Sequence, residues 1–497
     1  MLYYSTRDID NISTASNAIL KGLAHDGGLF VPTGKINKLF NKKLLTGNYN
    51  ELAVNIFSQF LGDFSIPEIK SAIDAAYNEK TFEHQAITPL SQISEQTYCL
   101  ELWHGPTSAF KDIALQVLPH LLTTAALKSG DDRDIVILTA TSGDTGKSAL
   151  EGFRDVKGVI IIVYFPEKGV SEIQKLQMTT QEGLNVHVIA VQGNFDDTQA
   201  GVKQIFNNKV INAKLANEGY RLTSANSINW GRLLPQIVYY FYAYGELVSR
   251  GHIQAGKAIN FVVPTGNFGN ILAGYYAHRL GLPINRLVCA ANRNNVLSDF
   301  INSGQYNKNR PFYNSLSPSM DILVSSNLER LLFELNGHDP DQIKNWMDQL
   351  SKEGLYRLDK ETLSKLQEMF WSDYADDQET LATIADTYRS NNYLLDPHSA
   401  VGKNVLGKYL AQENSDHPSI ILSTASPFKF TGSTSKALYN SSDFMDISEL
   451  ELMKTLSQKT GIPVPKNLAE LENKAVIHRQ VIAPLEMAEH LEKQLLT

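Results

Sequence analysis

Cysteine is almost missing from this chain: among 497 residues only Cys99 and Cys289 carry a thiol. Both sit in apolar stretches that read as strands, and neither belongs to a CxxC pair or a Cys/His cluster, which argues against a disulfide framework and a structural zinc. His104 and the group His25, His84 and His120 lack ligand spacing as well, so no metal is expected. Long apolar runs are also missing. The longest, residues 159–165, has the length of a strand and falls far short of a bilayer span, so no membrane partner is expected. No basic run interleaved with aromatics interrupts a formal net charge of −8, which removes the electrostatic footprint of a nucleic-acid binder. The opening MLYYSTRDID has no basic stretch followed by an apolar core, so the expected compartment is the cytoplasm. Neither an internal repeat nor a low-complexity segment is visible.

What is present is ordinary globular material, 43% apolar and 20% charged, in a length that suits two or three packed domains. From residue 134 strand runs alternate with amphipathic stretches: DIVILTA then 145–153, GVIIIVYF then 171–180, NVHVIAVQ then 196–215. Apolar strands joined by crossover helices predict a wound α/β unit with a parallel sheet. A second unit follows, with a helix over 233–247, the strand AINFVVPT, a helix over 270–280 stopped by Gly281 and Pro283, and the strand RLVCAA. SIILSTAS returns late to the same sheet, and 328–386 reads as a helical insertion packed outside. Four regions are expected: a mixed, mostly helical N-terminal domain over 1–95, a smaller α/β domain over 96–250, a large α/β domain over 251–435, and a polar extension over 436–497.

Open α/β sheets collect ligands at the carboxyl ends of their strands, so the loops there carry the functional reading. PTGNFGN leads into a helix, with Gly266 and Gly269 letting backbone N–H groups turn toward an anion. The plain alternative is a strand-to-helix turn that needs glycine. TSGDTGKS is nearly a phosphate-binding P-loop, with Gly146, Lys147 and Ser148 in place but Thr141 where that loop needs its first glycine. The other use is a carboxylate clamp made by Ser142, Thr145 and helix-start amides. Lys111 follows the turn-rich HGPTSAF; an isolated lysine is usually a solvated charge, but Phe110 would desolvate this amine and lower its pKa toward a nucleophilic form. Thr424, at the end of SIIL, either caps its own backbone or meets a cofactor ring nitrogen. Trp103 and Trp230 read as packing residues.

Taken together, GPTSAFKD, TSGDTG, SANSINWGR, PTGNFGN and TASPFKF resemble the microbial long-form threonine synthases, enzymes of pyridoxal-phosphate (PLP) fold type II. The resemblance runs end to end, from YYSTRD and LAHDGGLFVP through SPSMDILVSSNLERLLFE. It implies that Lys111 bonds the cofactor aldehyde, that Gly266, Asn267, Phe268, Gly269 and Asn270 hold the cofactor phosphate, and that Thr424 faces the pyridine nitrogen. Asp144 would lie near the cofactor. Ser142, Gly143 and Thr145 would bind the substrate carboxylate, and Asn226, Ser227, Asn229 and Arg232 its phosphate, with Arg232 as the fork. Without the resemblance, SANSINWGR reads as a polar loop that opens a helix, with Ser227 or Asn229 as cap.

The implied reaction converts O-phospho-L-homoserine and water to L-threonine and phosphate by γ-elimination and β-addition, in a monomer. The family pattern has Asp where this chain has Asn270, and His where it has Ser426. An amide can donate to a phosphate where a carboxylate cannot, whereas losing a His beside the ring alters a proton relay. Three rivals remain: a β-eliminase such as a threonine dehydratase, a P-loop nucleotidase, and a binding protein that kept only the fold.

Overall fold

A computed structural model describes residues 1–141, 143–439 and 447–496. The chain opens with a small antiparallel sheet in which Leu2–Ser5 lies between Asp8–Thr14 and Phe30–Pro32. Two helices follow, Tyr49–Phe60 and Ile66–Ala76, each started by a reciprocal capping box, Asn48 with Glu51 and Ser65 with Glu68.

Two larger sheets carry the fold. The smaller is all parallel, in the spatial order Val481–Ile482, Val186–Val191, Val159–Pro166, Asp134–Ala140, Tyr220–Thr223. The larger runs Phe370–Tyr374, Ile284–Ala291, Ile259–Pro264, Ser419–Ser423, Thr97–Glu101, Leu90–Ser94, parallel except for its last pair. The strand runs DIVILTA, VIIIVYF, INFVV and SIIL thus form as their apolar sequences demand, buried between layers of helices. The helix Trp230–Ser249 is buried along nearly its whole length and packs against Gly269–Arg279 and Tyr49–Phe60. Trp230 is a packing residue, edge-on to Tyr3 at 5.4 Å and to Tyr276 at 5.3 Å between ring centroids.

Four expectations change. Residues 196–215 form two helices, Phe195–Asn207 and Lys209–Asn217, because the Asn208 side chain caps the second by accepting from Val210 and Ile211 N–H. Thr97–Glu101 pairs with Ser419–Ser423, so the boundary placed at 95/96 falls inside a hairpin of the larger sheet. Within the supposed helical insertion, the aromatic-rich Phe370–Tyr374 adds an edge strand beside Ile284–Ala291. The C-terminal residues are part of the smaller domain: Val481–Ile482 satisfies the edge of Val186–Val191, and Met487, Leu491 and Leu495 cover the core around Val191 and Leu215. Among the described residues no helix is long and apolar enough to cross a membrane, and no group of acidic, His and Cys side chains is arranged to hold a metal.

Candidate functional site

Lys111 begins the short helix Lys111–Leu115, and the loop before it is docked onto the end of the larger sheet's central strand. Phe110 N–H donates to Thr424 O at 2.8 Å, Ser426 N–H donates to Ser108 O at 3.1 Å, and Ala109 bridges Ala425. From the other side, Asp112 accepts from Thr107 N–H at 2.8 Å and from its hydroxyl at 2.6 Å. Gly105 makes this possible, since a Cβ there would stand 2.5 Å from that of Asp112. Thr424 therefore lies beside the loop that carries Lys111. The Phe110 ring centroid lies 5.7 Å from the Lys111 Nζ. Burial pulls the Lys111 amine down from 10.5 to about 8; Asp144 pushes it back up, and Lys429 and Arg232 pull it down further.

Asp144 is the hub of the charges. Its Oδ1 takes Lys429 at 2.7 Å and Gln174 Nε2 at 2.9 Å, while Oδ2 lies 3.8 Å from Lys111 Nζ and 3.5 Å from Ser319 Oγ. Burial would raise this carboxyl, but Lys429 and Lys111 outweigh it and hold it well below the usual range. Asp144 opens the helix Asp144–Phe153 through Gly143, whose φ of 151° brings it so close to Gln174 that a Cβ would clash. Ser142 lies outside the described residues. Thr145 is half-buried in the helix's first turn, beside amides with no intrahelical partner.

This loop is not a P-loop. The Thr141 hydroxyl accepts from Gly143 N–H at 3.1 Å and Gly146 N–H at 2.9 Å, consuming the amides that would cradle a nucleotide phosphate. Lys147 is spent on Glu151, at 3.1 Å, and on Gln181. Gly143 consequently contributes shape and not a free N–H donor.

The PTGNFGN loop turns through Phe268, in the left-handed region at φ 64°, and starts the helix Gly269–Arg279. Three residues brace it: Ser325 Oγ donates to Gly266 O at 2.8 Å, Ser326 Oγ to Asn267 Oδ1 at 3.2 Å, and Asn327 Nδ2 to Asn267 O at 3.0 Å. Asn270 Oδ1 is engaged by Tyr239 OH at 2.6 Å and Tyr240 OH at 3.2 Å, which leaves Nδ2 buried and unpartnered. Ser426 caps the turn Pro427–Phe430 by accepting from Phe428 N–H.

In SANSINWGR, Arg232 is 3% exposed, donates from one Nη to Ala225 O at 2.6 Å, and keeps a buried, unpartnered Nε. Burial lowers its pKa to about 10. Asn226 and Ser227 are half-buried, and Ser227 O accepts from Asn327 Nδ2 at 3.2 Å. Asn229 corrects the expectation placed on it. Its Oδ1 caps the Trp230–Ser249 helix through Gly231 N–H, and its Nδ2 is spent on Ile19 O, both at 2.9 Å, so it shapes the segment and offers no free donor. Arg330 ties the same segment to the N-terminal sheet through Ile228 O at 2.5 Å and Phe30 O at 2.9 Å, while its neighbour Glu329 grips Thr6 and Arg7. The motifs YYSTRD and SSNLER are thus two halves of one brace.

Sequence reasoning missed Lys429, Ser319, Asp396, His398 and Asn327. Lys429 was written in TASPFKF, and Ser319 and Asn327 in the long resembling passage. His398 and Asp396 had only the DPH that opens the helix Pro397–Glu413.

These residues suit PLP: a buried amine of lowered pKa, a glycine-bearing helix start for a phosphate, an orphaned Asn270 amide beside it, and a threonine at the adjoining strand end. Residues 82–425 match the family described as pyridoxal-phosphate dependent enzyme, which places the chain in that class. Residues 2–77 match the threonine synthase N terminus and 399–482 the threonine synthase C-terminal region. The chain is 40% identical to the threonine synthase of Pseudomonas aeruginosa over 88% of its own length and 90% of that protein. The crystal structure of PLP-bound threonine synthase from Brucella melitensis superposes with a TM-score of 0.86 at 35% identity, covering 100% of this chain and 98% of that one. The human threonine synthase-like 1 is 40% identical across 85% of this chain, which spans only 58% of that longer protein. The chain belongs to the threonine synthase family.

The lowered Lys111 pKa has a direct consequence. Only a neutral amine attacks an aldehyde, so if Lys111 is the residue that bonds the cofactor, its capture by cofactor-free protein should accelerate as pH rises through about 8 and level off above it. An ordinary lysine would keep accelerating toward 10.5. Stopped-flow absorbance across that range checks this.

Proposed function

We propose that this chain converts O-phospho-L-homoserine and water to L-threonine and inorganic phosphate, with PLP bound through Lys111. The observation that carries this reading is Arg232, a buried guanidinium with no carboxylate partner among the described residues, near enough to Lys111 to depress its pKa. A buried charge without a counterion is costly, and a dianionic phosphate group supplies the counterion. An eliminase acting on an unphosphorylated amino acid has no use for it.

PLP supplies an electron sink for charge that develops on the substrate's carbons. The chain's own residues do the rest. Residues 266–270 would hold the cofactor phosphate, with Asn270 Nδ2 as a side-chain donor, and Thr424 would offer the ring nitrogen a neutral hydroxyl. The Lys111 amine, titrating near 8, takes and returns protons at Cα and Cβ at ordinary pH. Asp144, kept ionised by Lys429, balances the charge that Lys111 gains. Arg232, with Asn226 and Ser227, holds the substrate phosphate until it departs, and Thr145 holds the carboxylate.

The test is product analysis on purified, PLP-loaded protein. Threonine and phosphate should form in equal amounts from O-phosphohomoserine, with little oxoacid from threonine or serine. Faster oxoacid formation from threonine would replace this reading by a dehydratase.

Thr424 offers a separate check. Thr424→Ala should weaken PLP binding and shift its absorbance, and Thr424→Asp should favour a protonated ring nitrogen and change the ratio of threonine to oxoacid. Spectra and product ratios unchanged in both variants would remove Thr424 from the cofactor site.

A further inference from the structure

Ser319 stands where two buried groups converge. Its hydroxyl is 3.4 Å from Lys111 Nζ and 3.5 Å from Asp144 Oδ2. These separations are long for a resting hydrogen bond, but within the range that tightens when a site fills. The rest of Asp144 is already committed, with Oδ1 held by Lys429 and Gln174. Ser319 is thus the polar side chain that can link the amine to the free carboxylate oxygen. Its peptide is fixed on the opposite side by the phosphate loop, since a Cβ on Gly266 would come within 2.6 Å of Ser319 O.

The Ser319 backbone is held by a buried dyad that the proposed chemistry does not otherwise use. His398 Nε2 accepts the Ser319 N–H at 3.2 Å, and His398 Nδ1 lies 2.7 Å from Asp396 Oδ2. Because Nε2 is the acceptor, the ring is neutral with its proton on Nδ1, donated to Asp396. Asp396 is fixed in turn, as it accepts from the N–H groups of His398 and Ser399 at 2.9 and 3.1 Å and from the Ser399 hydroxyl. Phe430 packs edge-on against the imidazole at 4.8 Å between centroids. His398 is 2% exposed and Asp396 1%, so this is not a solvated pair that happens to touch. A helix cap requires only the aspartate. The histidine adds one thing, an acceptor aimed at a single peptide N–H.

We propose that Ser319 is a catalytic residue which receives the Lys111 ammonium each time the lysine has taken a proton from substrate, and that Asp396 and His398 are positioning residues which aim it. The proton moves from a substrate carbon to Lys111 Nζ. Ser319 then accepts a hydrogen bond from the ammonium and donates its own proton's hydrogen bond to Asp144, exchanging no proton itself. The lysine is held in one direction while charged and returns the proton from there. The inference rests on Lys111 as the proton-carrying group.

The experiment combines a mutant cycle on the holoenzyme with a titration of the whole chain stripped of cofactor. Ser319→Ala should lower kcat roughly ten-fold with KM moved less than about two-fold, since the contact is made by the charged lysine and not by bound substrate. His398→Ala should do likewise, His398→Gln should recover much of the loss because Gln Oε1 can accept the same N–H, and Asp396→Asn should fall between. The double variant Ser319→Ala/His398→Ala should be no slower than Ser319→Ala alone, because His398 acts only through the serine. In cofactor-free protein, Lys111 is titrated through its labelling by trinitrobenzenesulfonate, read on its peptide by mass spectrometry. The charged groups facing it are Asp144, Lys429, Arg232 and Asp112. Asp144 keeps Lys429 and Gln174 in every variant, so loss of the serine acceptor should destabilise the ammonium and move the labelling midpoint to lower pH, in Ser319→Ala and His398→Ala alike. A structural role for the dyad predicts a lower melting temperature with no such movement. Multiplicative losses in the double variant would overturn the positioning role. An unmoved midpoint and wild-type kcat in Ser319→Ala would overturn the catalytic one. If Lys111 variants also kept turnover, the fault would lie with the Lys111 assignment and not with Ser319.

Discussion

Lys111→Ala leaves a folded protein that no longer shows the near-visible absorbance of a bonded cofactor and turns over O-phosphohomoserine roughly three orders of magnitude or more slowly than the parent. Both roles proposed for it vanish together, the anchor for the cofactor aldehyde and the group that carries protons at Cα and Cβ. Arginine cannot substitute, because its guanidinium stays protonated and does not add to an aldehyde. Borohydride treatment followed by peptide mass mapping tests the same claim from the opposite direction, since reduction should fix the cofactor to Lys111 in the parent and to no residue in the variant. The fold should tolerate the change, as the Lys111 side chain is anchored by one long contact to Ser319 and one distant carboxylate, whereas the backbone around it is pinned to Thr424 and Ser426. Normal turnover by Lys111→Ala would end the mechanism.

Arg232 carries the second large effect. Arg232→Lys should retain PLP absorbance while kcat/KM for O-phosphohomoserine falls roughly ten-fold or more, about 1.4 kcal/mol of transition-state stabilisation, because an ammonium cannot reproduce the planar fork. Arg232→Ala should be worse. Inhibition by inorganic phosphate should weaken in parallel, since the product uses the same donors. A purely structural arginine predicts otherwise, and its most visible contact, the bond to Ala225 O, invites that alternative. The buried Nε without a partner argues for the ligand. Steady-state kinetics and phosphate inhibition on PLP-loaded variants decide; parental values for both would make Arg232 structural and move the phosphate elsewhere.

The sequence made the strand-end loops legible because parallel sheets leave little choice about where ligands collect: an apolar strand followed at once by glycine and polar residues marks the place. Lys111, residues 266–270 and Thr424 stand in loops marked in that way, whereas the roles proposed for Asp144 and Arg232 were suggested by the resemblance alone. What stayed hidden is what proximity alone creates. Lys429 matters because it meets Asp144, and Ser319 because it meets Lys111; neither spacing nor periodicity signals such encounters. Asn229 shows the opposite limit. As an amide in a polar loop it looks like a ligand donor, and only its partners Gly231 and Ile19 reveal a cap. The edge strands were misread for a similar reason, since Val481–Ile482 is too short to announce itself and exists because the edge of Val186–Val191 needs a partner.

The central position of Ser419–Ser423 in the larger sheet, between Ile259–Pro264 and Thr97–Glu101, bears on how the protein comes into being. Most of the smaller sheet comes from a contiguous stretch, whereas the larger one lacks its middle strand until the ribosome has passed residue 423. The same strand end docks the loop that carries Lys111. The strand that completes the larger sheet and the support for the Lys111 loop are therefore made together, late in synthesis, by one stretch of chain.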